Sequence, residues 1–298
     1  MMFRNDQPQH PDQLPPAEPG HAPARRGFLV ASLGAGFALA VQPVAAETIA
    51  TSADGLVAGE VEVPTADGRI PAYRAMPEGA GPFPVMVVIE EIFGVHEYIK
   101  DICRRFAKLG YLAVAPELFA RQGDPAHADI KTIVTDIVPK VPDAQAMADL
   151  DATVAYATSK DNKGDPTRVG ATGFCWGGRM VWLFAHHDPK LKAAVAFYGI
   201  LGGKASPPTA LKPQNPLDFG RDVAVPVLGL YGGHDDNIPP DLIAQMQAEL
   251  KNTKSEILVY PDAPHGFFAD YRPSYREGPA HDAWAKAQAW FKDHGMAG

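Results

Sequence analysis

From about residue 56 to residue 294, short apolar runs alternate regularly with segments of helical periodicity, and this alternation is what most restricts the fold. Residues 84–89, Pro-Val-Met-Val-Val-Ile, are continuously apolar, as a strand buried on both faces requires. Residues 96–109 then place Ile99, Ile102, Cys103 and Phe106 at helical spacing and stop at Gly110. Strands are expected at 111–115, 167–174, 193–197, 225–231 and 256–260, with helices at 143–158, 176–186, 240–251 and 279–294. Before them, 56–63 and 70–75 alternate apolar and polar residues around Ala66-Asp67-Gly68 and read as a hairpin. Strands interleaved with helices predict an α/β fold, a mostly parallel central sheet with helices on both faces. No internal repeat or linker interrupts 47–298, so one domain is expected there. The connections 119–130 and 199–221 are long for a compact α/β domain, and long loops often serve as lids or substrate-binding loops.

Residues 1–46 read differently. The first 24 hold six prolines and few apolar side chains, a composition that cannot bury a core. Arg25-Arg26-Gly27-Phe28-Leu29 follows, then a mildly apolar stretch to Val41 and the small-residue exit Pro43-Val44-Ala45-Ala46. A basic pair, a moderate apolar segment and small residues describe a secretory leader, here resembling the twin-arginine export signal, with a cut expected near Ala46-Glu47. The apolar stretch is shorter than the roughly 20 residues that span a bilayer. Such a leader implies a periplasmic or otherwise exported protein that folds before it crosses the membrane, which lets its thiols stay reduced.

Charge and cysteine usage narrow the function. With 27 Lys+Arg against 35 Asp+Glu the net charge is -8, which disfavours nucleic-acid binding. Cys103 and Cys175 are the only cysteines, too few for a Cys-rich zinc site or a disulfide scaffold. No phosphate-cradling glycine loop is present, and His96-Glu97 does not extend to H-E-x-x-H, so no cofactor or metal is expected.

The chemistry centres on Gly173-Phe174-Cys175-Trp176-Gly177-Gly178, between an expected strand and an expected helix. This is the G-x-S-x-G spacing with cysteine in place of serine. Glycines on both sides let backbones pass closely while the turn pushes the central side chain above the sheet, near the positive end of the following helix. That setting favours a thiolate, so Cys175 is the expected nucleophile, while Cys103 sits on an apolar helix face and reads as core. In this architecture an acid and then a histidine should follow, each in a loop after a strand. Asp235 and His265 fit, 60 and then 30 positions further on; Asp236 and, more remotely, Asp262 are the alternatives for the acid. His186, His187, His281 and His294 lie at helix ends and read as solvated.

At these residues the chain resembles the dienelactone hydrolase family of the α/β-hydrolase fold. The similarity runs over roughly 55–294, on Glu90-Glu91-Ile92-Phe93-Gly94-Val95, the Gly-Phe-Cys-Trp-Gly-Gly elbow, Tyr231-Gly-Gly-His-Asp235 and His265-Gly-Phe-Phe. The resemblance implies a carboxylic ester hydrolase that opens a lactone or activated ester through Cys175, His265 and Asp235 by way of a thioester. It gives Glu91 the task of pairing with the thiol and helping to ionise it, and the backbone N–H groups of Ile92 and Trp176 that of holding the oxyanion. In family members arginines hold a substrate carboxylate. Arg121, Lys131, Arg179 and Arg272 are the candidates here, although Arg272 falls later after the histidine than the family pattern places it and Asp270 intervenes. A small-molecule lactone or ester is the expected partner, with the twin-arginine export machinery acting through the leader and a monomer favoured. A general carboxylesterase or thioesterase, or a non-catalytic exported binding protein, are the competing readings.

Overall fold

The computed structural model describes residues 51–203 and 206–298. The expected leader and the start of the expected 47–298 domain therefore lie outside the described residues.

Among the described residues eight strands, numbered in chain order, form one sheet in the order β1-β2-β4-β3-β5-β6-β7-β8. β1 (Leu56–Thr65) and β2 (Gly68–Pro77) make the anticipated antiparallel hairpin, closed at Thr65↔Gly68, and β2 pairs antiparallel with β4 (Leu112–Pro116). From β4 onward, β3 (Phe83–Ile89), β5 (Gly164–Phe174), β6 (Ala193–Phe197), β7 (Val227–His234) and β8 (Glu256–Pro264) are all parallel. β3, β4 and β6 are buried almost throughout, which is why they read as unbroken apolar runs.

Helices cover both faces. α1 (Glu97–Lys108) lies on β2 and β4, and α5 (Glu277–Asp293) on β6 and β7; they meet through Phe106 against Trp284 and Phe291. On the other face α2 (Asp143–Ala157) and α3 (Trp176–His187) pack on the central strands and on each other, and α4 (Pro240–Glu249) lies near β8. The connection 119–130 contains a short helical turn (Pro125–His127) and runs into further helical turns as far as Lys140, five of whose residues (Ile133–Ile137) are π-helical. Among the described residues no helix is long and apolar enough to cross a membrane.

β7 and β8 run past their expected ends. Gly232, Gly233, Pro261 and Pro264 are breaker signals, yet the two strands stay paired, with an irregularity, as far as His234↔Pro264. The approach there is close enough that a Cβ on Gly232 would strike the Ala263 carbonyl. β8 is an edge strand, where proline is tolerated because its missing N–H can face away from the ladder. The extension matters because Asp235 and His265 are the very next residues on the two strands.

Candidate active site

Parallel α/β sheets gather their ligand-facing residues beyond the carboxyl ends of the strands. Here β3 is followed by Glu90 and Glu91, β4 by Glu117, β5 by Cys175, β6 by Tyr198, β7 by Asp235 and β8 by His265. Six neighbouring strands thus deliver one polar cluster.

Cys175 has φ 56° and ψ -114°, a conformation an L-residue adopts only when its surroundings impose it. The surroundings do so through backbone crowding. A Cβ on Gly173 would lie 2.5 Å from the Gly177 carbonyl oxygen, and one on Gly177 would run into the carbonyl oxygens of Ile89 and Glu90. α3 can therefore start directly against the ends of β3 and β5, with the Cys175 N–H donated to Phe197 O at 3.0 Å. The sulfur is buried, with the residue only 3% exposed.

His265 Nδ1 lies 2.7 Å from Asp235 Oδ2, and the Cys175 sulfur is another partner of the ring. Asp235 is buried and its Oδ1 accepts from the Asn237 N–H at 2.9 Å, whereas Asp236 and Asp262 are exposed, so the choice among the three aspartates falls on Asp235. Burial disfavours a charged imidazole, but the Asp235 carboxylate and the Cys175 sulfur outweigh it and raise the His265 pKa well above its ordinary value. Cys103 is also buried and reduced; burial first, then the Asp101 and Glu60 carboxylates, drive its thiol pKa far up against the opposing pull of Arg104.

Glu91 is fully buried. Its Oε2 accepts from Arg272 Nη2 at 2.7 Å and from the Tyr271 hydroxyl at 2.8 Å, with His96 Nε2 3.5 Å away. Burial would raise its pKa, but Arg272, His96 and Tyr271 together hold it down at about 2. Its Oε1 has no hydrogen-bond partner among the described residues, so the carboxylate is paired with Arg272 rather than with the thiol, a different arrangement from the one expected. Glu90, one residue earlier, behaves oppositely. It accepts from the Leu118 N–H at 2.7 Å and meets the Glu117 carboxyl, and burial together with that like-charged neighbour raises its pKa well above the usual carboxylate range.

Ile92 follows Glu91 in a turn closed by the Gly94 N–H to Glu91 O bond at 3.3 Å, and Trp176 is the first residue of α3, where backbone N–H groups lack helical acceptors. Both are buried near the elbow. The 119–130 connection reaches the same place, with the Phe119 ring 4.6 Å from that of Trp176. Of the four basic candidates, Arg272 joins this cluster. Arg121 is held by Asp149 and by Asp67 in the β1–β2 turn, and Arg179 forks onto both oxygens of Asp143 at 2.7 and 2.8 Å. Lys131 is exposed.

Three members escape sequence reasoning. Tyr198 is fully buried at φ 40° with its ring 5.0 Å from that of His265; its signal was its place directly after a buried strand. Tyr271 is adjacent in sequence to Arg272, whose Nε donates to its hydroxyl at 2.7 Å. His96 neighbours the Glu-Ile-Phe-Gly-Val segment, stacks on Tyr98 and meets Tyr271 edge-on. Among the described residues no group of three or more His, Cys, Asp or Glu could hold a metal ion.

A parallel sheet with its polar residues beyond the strand ends, and a strained strand-to-helix elbow among them, defines an α/β-hydrolase. The dienelactone hydrolase family model matches residues 70–295, and the chain belongs to that family. Over 278 residues it is 56% identical to a Methylorubrum extorquens protein named "Putative carboxymethylenebutenolidase", covering 92% of this chain and 94% of that one. An Escherichia coli K12 protein of the same name is 50% identical over 264 residues, covering 87% and 96%. The crystal structure of a "Putative Dienelactone Hydrolase" from Klebsiella pneumoniae superposes with a TM-score of 0.76 at 50% identity, covering 80% of this chain and 98% of that one. The protein is a dienelactone hydrolase-like hydrolase acting on esters or lactones.

Proposed function

We propose that this hydrolase opens lactones or activated carboxylic esters through a thioester on Cys175, with His265 as base and acid and Asp235 orienting the imidazole. The observation that carries the reading is the His265 ring held between Asp235 Oδ2 and the strained Cys175 elbow. His265 takes the thiol proton and the sulfur bonds to the carbonyl carbon, giving a tetrahedral oxyanion held by the Ile92 and Trp176 N–H groups. When the C–O bond breaks, the leaving oxygen takes that proton from the imidazolium. Water then attacks the thioester, loses its proton to His265, and the sulfur departs and is reprotonated.

A tetrahedral adduct can expel either thiolate or oxygen, and thiolate is the better leaving group against a plain alkoxide. Enol lactones and aryl esters, whose leaving oxygen is stabilised, therefore fit this nucleophile. In this reading Glu91 assists the thiol through Oε1, which is buried and has no hydrogen-bond partner among the described residues. The adjacent Arg25-Arg26 and the apolar stretch after them support export by the twin-arginine route, so that the substrate is met outside the cytoplasm.

The test is turnover of an activated aryl ester and an enol lactone by the chain lacking residues 1–46, beside its Cys175→Ala variant. A loss of roughly 10⁴-fold in kcat is expected in that variant. Undiminished turnover there, or rapid cleavage of plain alkyl esters without any enol-lactone activity, defeats the assignment.

A further inference from the structure

We propose that Glu90 and Glu117 share one proton and act together as positioning residues for the turn at residues 91–95, which carries the Ile92 oxyanion donor. The inference rests on the hydrolase reading above and deepens it: the reaction needs a proton that stays in place as well as the one that moves. Neither carboxyl takes part in the steps written for Cys175, His265 and Asp235.

The two side chains each bind the other's segment. Glu90, directly after β3, accepts from the Leu118 N–H at 2.7 Å through Oε1. Glu117, directly after β4, accepts from the Val95 N–H at 3.2 Å through its own Oε1. One bond thus crosses from the end of β3 to the chain beyond β4, and the other returns from β4 to the far end of the turn. Gly94, at φ 77°, passes so near that a Cβ there would stand 3.2 Å from Glu117 Oε2. Between these ties lie Glu91 and Ile92, and the turn's own closure, Gly94 N–H to Glu91 O, is long at 3.3 Å, so the ties at its two ends matter to where Ile92 sits. The pair also reaches the other oxyanion donor. A Cβ on Gly177, in the first turn of α3, would run into the Glu90 carbonyl oxygen, and Leu118 leads into Phe119, whose ring is 4.6 Å from that of Trp176. A shift of the two carboxyls therefore disturbs the surroundings of both N–H groups.

Charge makes the arrangement depend on a proton. Glu90 Oε2 is buried and has no donor among the described residues, and the carboxyl that meets Glu90 is that of Glu117. Two carboxylates in contact repel and cannot hydrogen-bond; one proton between them turns the repulsion into a short, charge-assisted bond. Burial first, and then the facing Glu117 carboxyl, keep Glu90 protonated against the N–H groups of Leu118 and Phe119. Around Glu117 the further charges are Asp124 of the 119–130 connection, which repels, and Lys100 of α1, which attracts but is ion-paired with Glu60 at 2.5 Å. The neighbouring carboxylate, Glu91, is paired with Arg272.

The experiment sets Glu90→Ala and Glu90→Gln beside the unaltered full chain, with an activated aryl ester as substrate from about pH 6 to 10. Glu90→Ala releases the turn and is expected to lower kcat roughly 30-fold while KM changes less than about 3-fold, because a displaced oxyanion donor weakens the transition state and not the bound ester. Glu90→Gln keeps an acceptor for Leu118 and offers the Glu117 carboxylate an N–H in place of the shared proton, so it is expected to restore kcat near pH 7 to within about 3-fold. As the pH rises the unaltered protein loses that proton and at least about 5-fold more of its kcat than Glu90→Gln, which has none to lose. The infrared carbonyl band of a protonated carboxylic acid, present at neutral pH and missing from Glu90→Gln, reports the proton without any turnover. An unchanged kcat in Glu90→Ala overturns the positioning role. Should that variant not fold, Glu90→Gln decides alone: parallel pH profiles, or an acid band that it leaves unaltered, overturn the inference and leave the hydrolase reading standing. Turnover by none of the three proteins, with the acid band in place, would overturn the hydrolase reading and the positioning role with it.

Discussion

The two cysteines of this protein are almost equally buried, at 0% and 3% exposure, and their surroundings are opposites. Cys103 sits mid-helix in α1 among Ile99, Ile102 and Phe106, where burial above all, helped by the Asp101 carboxylate and opposed by Arg104, pushes its thiol pKa up. Cys175 caps α3 in a strained conformation beside an imidazole that is itself held by a carboxylate. Equal burial therefore goes with unlike surroundings, and the neighbours make the difference. The same lesson recurs at the end of the neighbouring strand, where Glu90 and Glu91 are both fully buried, which pushes both pKa values up, yet titrate in opposite directions because one meets Glu117 and the other Arg272.

The cysteine contrast is easiest to break with iodoacetamide. Cys175 is expected to alkylate at least about 1000-fold faster than Cys103 in the folded protein, because a core thiol reacts only through opening of the structure. Peptide mapping against time measures it, and comparable rates at the two sites would end the comparison. Strain at the elbow is tested by Gly177→Ala, whose added methyl meets backbone carbonyls that cannot move without displacing β3. A loss of more than about 3 kcal/mol in urea denaturation, or failure to fold, is expected.

The two glutamates should separate in the pH dependence of stability. Glu91 drops from an ordinary value of 4.5 to about 2, so its contribution is in place above pH 4.5 and vanishes as the pH falls towards 2. That contribution is ~3 kcal/mol. Glu90, with its pKa raised, holds a proton that the unfolded chain releases above 4.5, so it lowers stability as pH rises beyond that point. Glu90→Gln should therefore gain stability relative to the unaltered protein between pH 5 and 8, and Glu91→Gln should lose its deficit below pH 4.5. Parallel stability profiles in all three proteins would contradict the opposed environments. The smallest effect is Cys103→Ala, expected to cost ~1 kcal/mol while leaving kcat unchanged.

Much of the fold was legible because it is written in local periodicity. The unbroken apolar run at 84–89, the helical spacing of Ile99, Ile102 and Phe106, and the glycines flanking Cys175 each state a backbone requirement that nearby residues satisfy. The end of β8 was not legible, since Pro261 and Pro264 read as breakers and only an edge position lets a strand carry them. Neither were the helical turns over 130–140, whose stretch of 3₁₀ and π geometry has no single period to detect.

The site divides along the same line. The sequence by itself determined that Cys175 stands at a strand-to-helix elbow and that His265 follows a later strand, because strand, tight turn and helix succeed one another around Cys175. Only the tertiary structure decided that Asp235 rather than Asp236 reaches the imidazole, that Arg272 closes on Glu91 while Arg121 and Arg179 turn elsewhere, and that Tyr198 stands against His265. The reason is physical. A turn depends on the few residues that make it, but the pairing of a buried charge depends on which groups 180 positions apart share the same low-dielectric pocket, and no local pattern records that.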